Sequence, residues 1–223
     1  MKIVDYADRD MLAIDLANIL AAELETALLH HDTVSLAVAG GTTPGPVFDA
    51  LCAAELDWHR VRVMPTDERW VAPDHDRANA RLIADRLLVN RAAGAQYLPF
   101  YAPAAHPEDV LPQLEANLAP VLPVSVMLLG MGADMHTASL FPGAPGLAQA
   151  LAPDAPILSV LRPETQPDIR VSLSARVLAG AVNSHLIIFG ADKRAALDRA
   201  MSLPPDRAPV QVVLKNSIIH WAE

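Results

Sequence analysis

The chain has 223 residues, 52% hydrophobic and 19% charged, with a formal net charge of −9 at pH 7. That length suits one α/β domain spanning residues 1–223, because two domains would each be too small to bury a sizeable core. The negative balance repels the nucleic-acid backbone, and no apolar run reaches the roughly 18 residues needed to span a bilayer, so neither nucleic acid nor membrane is an expected partner.

The opening MKIVDYADRD turns acidic where an export signal would turn apolar, so the expected location is the cytoplasm. From Asp8 to His30, Leu12, Leu16, Ile19, Leu24 and Leu28 recur with acidic residues between them, the spacing of an amphipathic helix. His30, His31 and Asp32 read as the solvated end of that helix rather than a metal cluster. Val34 to Ala39 reads as the first core strand and runs into Gly40, Gly41, Thr42, Thr43 and Pro44, with a helix from Gly45 to Glu55. Two glycines permit close backbone approach and two hydroxyls add donors, so the loop is either a phosphate cradle or an ordinary strand-to-helix turn. It matches neither the Walker pattern nor the dinucleotide glycine spacing. The single cysteine, Cys52, lies in this helix and reads as a small buried hydrophobe.

Val61 to Pro65 gives a second strand, after which charge appears abruptly in Thr66, Asp67, Glu68, Arg69 and Trp70. That cluster is either surface decoration or a setting in which Arg69 holds an anionic or hydroxylated ligand. His75, between two aspartates, reads as an exposed loop residue, and a helix carrying Asn79, Arg81 and Leu87 follows. A third strand is expected over Gln96 to Tyr101 and a helix over Pro107 to Leu118.

Val124 to Gly143, VSVMLLGMGADMHTASLFPG, is the most informative stretch. Its apolar opening suits a strand buried on both faces of a parallel sheet, and ligands gather beyond the carboxyl ends of such strands. Asp134, Met135 and His136 are expected to open a helix-like segment, whose unpaired N–H groups and dipole would favour a neutral imidazole able to act as a general base. Asp134 either orients that imidazole or caps the helix. Proline-rich stretches then flank a weak strand at Ile157 to Leu161 and read as surface excursions. Arg170 to Ser174 alternates as a strand, and His185 to Gly190 forms another. A helix from Asp192 to Met201 places Lys193 near that strand's end. Val210 to Leu214 is expected to be the last strand, before a tail ending in His220 and Trp221, while His59, His106, His185 and His220 show no partner pattern and read as structural. Alternating strands and helices imply an α/β fold, a mainly parallel sheet covered by helices on both faces.

GGTTP at Gly40, TDERWV at Thr66, the Asn79 helix, GMGADMHTASLFPG at Gly130, RVSL at Arg170 and GADK at Gly190 follow the order found in the 6-phosphogluconolactonases, which the chain resembles over nearly its whole length. The resemblance implies an enzyme of the oxidative pentose phosphate pathway that hydrolyses 6-phospho-D-glucono-1,5-lactone to 6-phosphogluconate with no cofactor and no metal. It implies a Rossmann-like sheet similar to that of the sugar-phosphate isomerase and CoA-transferase group. It further implies that Gly40, Gly41, Thr42, Thr43, Arg170 and Lys193 bind phosphate, that Asp67, Glu68 and Arg69 border the sugar site, that Asn79 binds substrate, and that His136 is the base with Asp134 or Glu68 orienting it. The expected partner is the small-molecule sugar-phosphate lactone, with the chain a monomer or homodimer. The departure is Met135, where the family more often shows glycine; a glycine serving a positive φ angle would leave methionine strained. Two rival functions are a glucosamine-6-phosphate deaminase, whose family carries a glutamate where this chain has Phe141 and a tyrosine where it has Arg69, and a non-catalytic sugar-phosphate sensor, against which the retained Asp134 and His136 argue.

Overall fold

The computed structural model describes residues 2–223, which in chain order form β1 (Lys2–Asp5), α1 (Arg9–Leu28), β2 (Val34–Val38), α2 (Gly45–Leu51), β3 (Val61–Pro65), β4 (Asp67–Arg69), α3 (Asn79–Arg86), β5 (Gln96–Tyr97), α4 (Leu111–Leu118), β6 (Val126–Gly130), α5 (Leu147–Leu151), β7 (Leu158–Leu161), β8 (Arg170–Leu173), α6 (Ala175–Ala179), β9 (Asn183–Phe189), α7 (Ala191–Ala200), α8 (Gln211–Leu214) and β10 (Ser217–Ala222). Seven strands make one sheet in the order β1-β10-β9-β6-β2-β3-β5, and every pairing in it is parallel. The remaining strands form a small antiparallel sheet, β4-β8-β7.

Burial explains why the central strands read as continuous apolar runs. In β6, Val126 and Leu128 point into one core with the leucines of α1 and with Val47, Phe48 and Ile83 of α2 and α3. Met127 and Leu129 point into the other, with side chains of α4 to α8 and of β7 and β8. Helices therefore cover both faces of the parallel sheet, as such sheets require. α1 starts where Asp8, in extended conformation, accepts a 2.7 Å bond from the Met11 amide. Leu12, Leu16, Leu20 and Leu24, one per turn, are fully buried. Among the described residues no helix is long and apolar enough to cross a membrane.

Several segments differ from their sequence expectation for local reasons. The expected strand at Val210 to Leu214 is instead the short helix α8, and the tail after it is β10, a central partner of β1 and β9. A five-residue apolar run has no period long enough to separate a buried helical turn from a strand. β1 and β4 carry too much charge to read as strands; each survives by pairing along one edge only. β5 spans two residues because Pro99 follows it, and a 3-10 turn at Pro107–Asp109 precedes α4.

Two buried polar arrangements lock elements together. Glu68 is 1% exposed, and its carboxylate receives the N–H groups of Arg69 and Asn79 on one oxygen and of Ala80 on the other, each at 2.7 Å. It thereby satisfies the first turn of α3, whose N-cap Ala78 offers no side-chain bond. Between β9, β10 and α1, His185 and His220 are each other's partners. His185 Nε2 is 2.8 Å from Glu23 Oε2, His185 Nδ1 is 3.0 Å from His220 Nε2, and His220 Nδ1 is 2.9 Å from the Tyr6 hydroxyl. A run of single protons from Tyr6 through both rings to the Glu23 carboxylate satisfies every atom with both imidazoles neutral. Burial pushes His220 down to about 4, with His185 and Lys2 adding to the shift.

An imidazole depressed in the folded state makes the unfolded chain the better proton acceptor, so this contribution is complete above the ordinary value of 6.5 and is lost as pH falls from there toward 4. Urea unfolding at pH 7 and pH 5 should show a loss of about 1–2 kcal/mol at the lower pH, and His220→Gln should flatten that difference. At neutral pH, Glu68→Gln should lower unfolding free energy by about 1–3 kcal/mol, because an amide nitrogen cannot accept the N–H that one carboxylate oxygen now takes.

Candidate active site

The sheet order changes direction between β2 and β6. The chain runs from β2 outward through β3 to β5, and from β6 outward through β9 to β10. Loops leaving β2 and β6 therefore diverge and open a crevice at their carboxyl ends. A cavity of about 310 Å³ occupies it, walled by Ala39 to Thr43 after β2, Asp67 and Arg69 of β4, Gly130 to Gly132 and His136 after β6, Arg170 of β8 and Lys193 of α7.

No helix opens at His136. The segment is a tight turn in which the Gly132 amide donates to the His136 carbonyl at 3.0 Å and the Met135 amide to the Gly132 carbonyl at 2.9 Å. Met135 adopts a φ of 68° and Ala138 one of 47°, which is incompatible with the expected helix; the next helix is α5. The dipole invoked for His136 is thus missing, and Asp134 has no helix to cap. Asp134 instead lies with Oδ1 2.5 Å from His136 Nδ1. Burial alone would raise the Asp134 carboxyl, but its hydrogen bond to His136 and the charge there outweigh burial and hold it below the ordinary carboxylate value. An ionised carboxylate only accepts, so Nδ1 carries a proton and Nε2 is the nitrogen left to face the cavity. Gly132 leaves room for this pair: a Cβ there would lie 2.3 Å from His136 Nδ1 and 2.4 Å from Asp134 Oδ1.

The rest of the turn is tied to the sheet. Thr137 Oγ1 donates to the Gly130 carbonyl at 2.9 Å, and Ser139 Oγ to Asp67 Oδ2 at 2.5 Å. Asp67 also lies 3.9 Å from Arg170 Nη1. Arg170 is 5% exposed, donates through Nη2 to Gln166 at 2.9 Å, and leaves Nε without a partner among the described residues; Arg69 Nε is likewise buried and unpartnered. Arg69 and Arg170 are direct cross-strand partners of β4 and β8, where like charges repel. Desolvation lowers the Arg170 value, with Asp67 opposing and Arg69 reinforcing the shift, and burial lowers that of Lys193. Three cationic side chains thus face one carboxylate across the cavity, in a chain whose net charge is −9.

Most of the residues singled out in the sequence are brought together here. Gly40, Gly41, Thr42, Thr43, Asp67, Arg69, Asn79, His136, Arg170 and Lys193 all line the cavity. Gly40 packs so closely on Asn79 that a Cβ would lie 1.9 Å from Asn79 Oδ1, while Asn79 Nδ2 donates to the Asp67 carbonyl at 2.8 Å. Glu68 departs from its expected place: it lies beneath the wall as the cap of α3 and makes no bond to His136. Asp134 stands behind His136 and outside the lining. The sequence reading missed Gln166, which reaches the cavity from the proline-rich segment, and Phe141 and Ser139, which sat inside the quoted HTASLFPG run without an assigned contact. No spacing rule points to a glutamine in an irregular loop.

Comparison with known proteins covers the same loops. The family model described as glucosamine-6-phosphate isomerases/6-phosphogluconolactonase matches residues 7–221. The chain is 40% identical to a 6-phosphogluconolactonase of Mesorhizobium japonicum over 94% of this chain and 88% of that one. It is 38% identical to one of Pseudomonas aeruginosa over 92% and 88%. The crystal structure of a 6-phosphogluconolactonase from Shewanella baltica superposes with a TM-score of 0.96 at 29% identity, covering 100% of this chain and 98% of that chain. With the match enclosing every loop of the cavity, the chain belongs to the glucosamine-6-phosphate isomerase/6-phosphogluconolactonase family.

Proposed function

We propose that this chain hydrolyses 6-phospho-D-glucono-1,5-lactone to 6-phospho-D-gluconate, the lactone-opening step of the oxidative pentose phosphate pathway. The observation that carries the reading is an imidazole oriented by a carboxylate at 2.5 Å beside a cavity walled by Arg69, Arg170 and Lys193. His136 Nε2 takes a proton from water as the water oxygen adds to the lactone carbonyl carbon. The oxyanion so formed is stabilised by a cavity cation or a backbone N–H, and its collapse breaks the ring C–O bond. The imidazolium then returns its proton to the departing ring oxygen. Water is the sole co-reactant, so the balance calls for no electron carrier.

General-base help is worth about 10²- to 10⁴-fold and one oxyanion donor about 10²- to 10³-fold. The loop of Gly40 to Thr43, with Arg170 and Lys193, holds the phosphate, and that remote binding energy positions the ester carbon at the base. A phosphate dianion also relieves the Arg69–Arg170 repulsion and opposes the desolvation that lowers the Lys193 value. Phe141, buried against the imidazole, presents no carboxylate to it, which favours hydrolysis over the proton shuttling of an aldose–ketose isomerase.

His136→Ala should cut kcat for lactone hydrolysis by about 10²- to 10⁴-fold with unchanged thermal unfolding, measured as proton release corrected for spontaneous ring opening. Wild-type-like turnover in that variant, or ammonia release from glucosamine 6-phosphate by the unaltered protein, would defeat the reading. Lys193→Ala should raise KM for the phosphorylated lactone by about 10- to 100-fold and leave KM for plain gluconolactone nearly unchanged. Equal effects on the two substrates would place Lys193 away from the phosphate.

A further inference from the structure

Phe141 touches both the base and a cavity cation. Its ring centroid lies 4.2 Å from that of His136 with the planes 33° apart, and the Arg170 guanidinium carbon is 5.6 Å from the same centroid. The side chain is 5% exposed, and a turn closed by the Ala144 amide donating to the Phe141 carbonyl at 3.1 Å fixes its backbone. Leucine or methionine would fill that slot as well if filling were its whole task. What an aromatic ring adds is a negative face, which attracts a cation placed over it.

During hydrolysis the imidazole becomes such a cation. We infer that Phe141 is a positioning residue, whose face stabilises the imidazolium of His136 formed as water loses its proton and fixes the tilt at which Nε2 meets the cavity. The inference rests on the lactonase reading of the site. The other charged groups around the site are Asp134 on the same turn, Asp67 and Arg69 on β4, Arg170 on β8, Lys193 on α7 and Glu164, which lines a neighbouring hollow with Asp134 and Phe141. The Arg170 guanidinium carbon lies over the Phe141 ring, so the effect of the ring is separated from that of the guanidinium by repeating the measurement in an Arg170 variant.

The test replaces Phe141 by tetrafluorophenylalanine, which keeps the shape and removes the negative face, and by Phe141→Leu and Phe141→Tyr. The first two should lower the midpoint of the His136 imidazole titration, followed by NMR, by about half a pH unit. The acid limb of kcat/KM should move down by the same amount, with kcat reduced by about two- to threefold and KM within about twofold. Tyr should restore wild-type values. An unmoved midpoint in the fluorinated protein, or a folded Tyr variant as impaired as Leu, would overturn the inference. So would disappearance of the shift when the series is repeated in Arg170→Gln, which would trace it to the guanidinium. The fluorinated protein decides the matter if Leu fails to fold. Lack of lactone turnover in the wild type would instead defeat the functional reading, leaving the NMR midpoint to report on Phe141 alone.

Discussion

A parallel sheet buried on both faces leaves the chain little choice about where polar chemistry goes. β2 and β6 are apolar along nearly their whole length, and β9 over Leu186 to Phe189, because each face meets a helical layer. Beyond the carboxyl ends of those apolar runs the chain is free to carry glycine, hydroxyls and charge together. Reversal of strand order between β2 and β6 then separates the two loops that leave those ends. Every group assigned to the chemistry depends on that separation: the Gly40 loop on one side, the His136 turn on the other, with Lys193 arriving after β9 and Arg170 from the small sheet.

The walls of the cavity hold locally unfavourable arrangements. Arg69 and Arg170 oppose each other across β4 and β8, each with a buried Nε that has no partner among the described residues. Met135 and Ala138 hold positive φ angles on either side of His136 and Thr137, a conformation costing on the order of 1–2 kcal/mol for a residue with a Cβ. Surrounding structure overdetermines both features. Asp67 links Arg170 to Ser139, and the Met135 carbonyl accepts from the Val210 amide at 3.1 Å. Preorganised donors and a strained turn are what a site gains when the fold, rather than the substrate, bears the cost of arrangement.

Charge illustrates why location outranks total. The surface is acidic enough to give a net −9, yet the crevice gathers three cations. Screening confines the outer charges to about 10 Å at ordinary ionic strength, whereas the partly desolvated cations act at short range in a medium of lower dielectric. The same contrast separates the exposed ion pairs of this chain, such as Arg162 with Glu108, from Glu68, whose three N–H contacts hold α3 to the strand that carries Asp67 and Arg69.

Periodicity and apolar runs sufficed for the parallel sheet, its helical covering and the placing of GGTTP and GMGADMH at strand ends, because these depend on short-range burial patterns that the sequence displays directly. Spacing also brought Asp134 and His136 together, two residues apart. Tertiary structure alone decided that Glu68 caps a helix eleven residues on, that His185 and His220 share a proton, that 210–214 coils while 217–222 pairs, and that Gln166 and Phe141 reach the cavity. It also replaced the expected helix at His136 by a strained turn. Those outcomes hinge on contacts between distant segments competing with local preference, and the competition is settled only when both segments are buried in the same place.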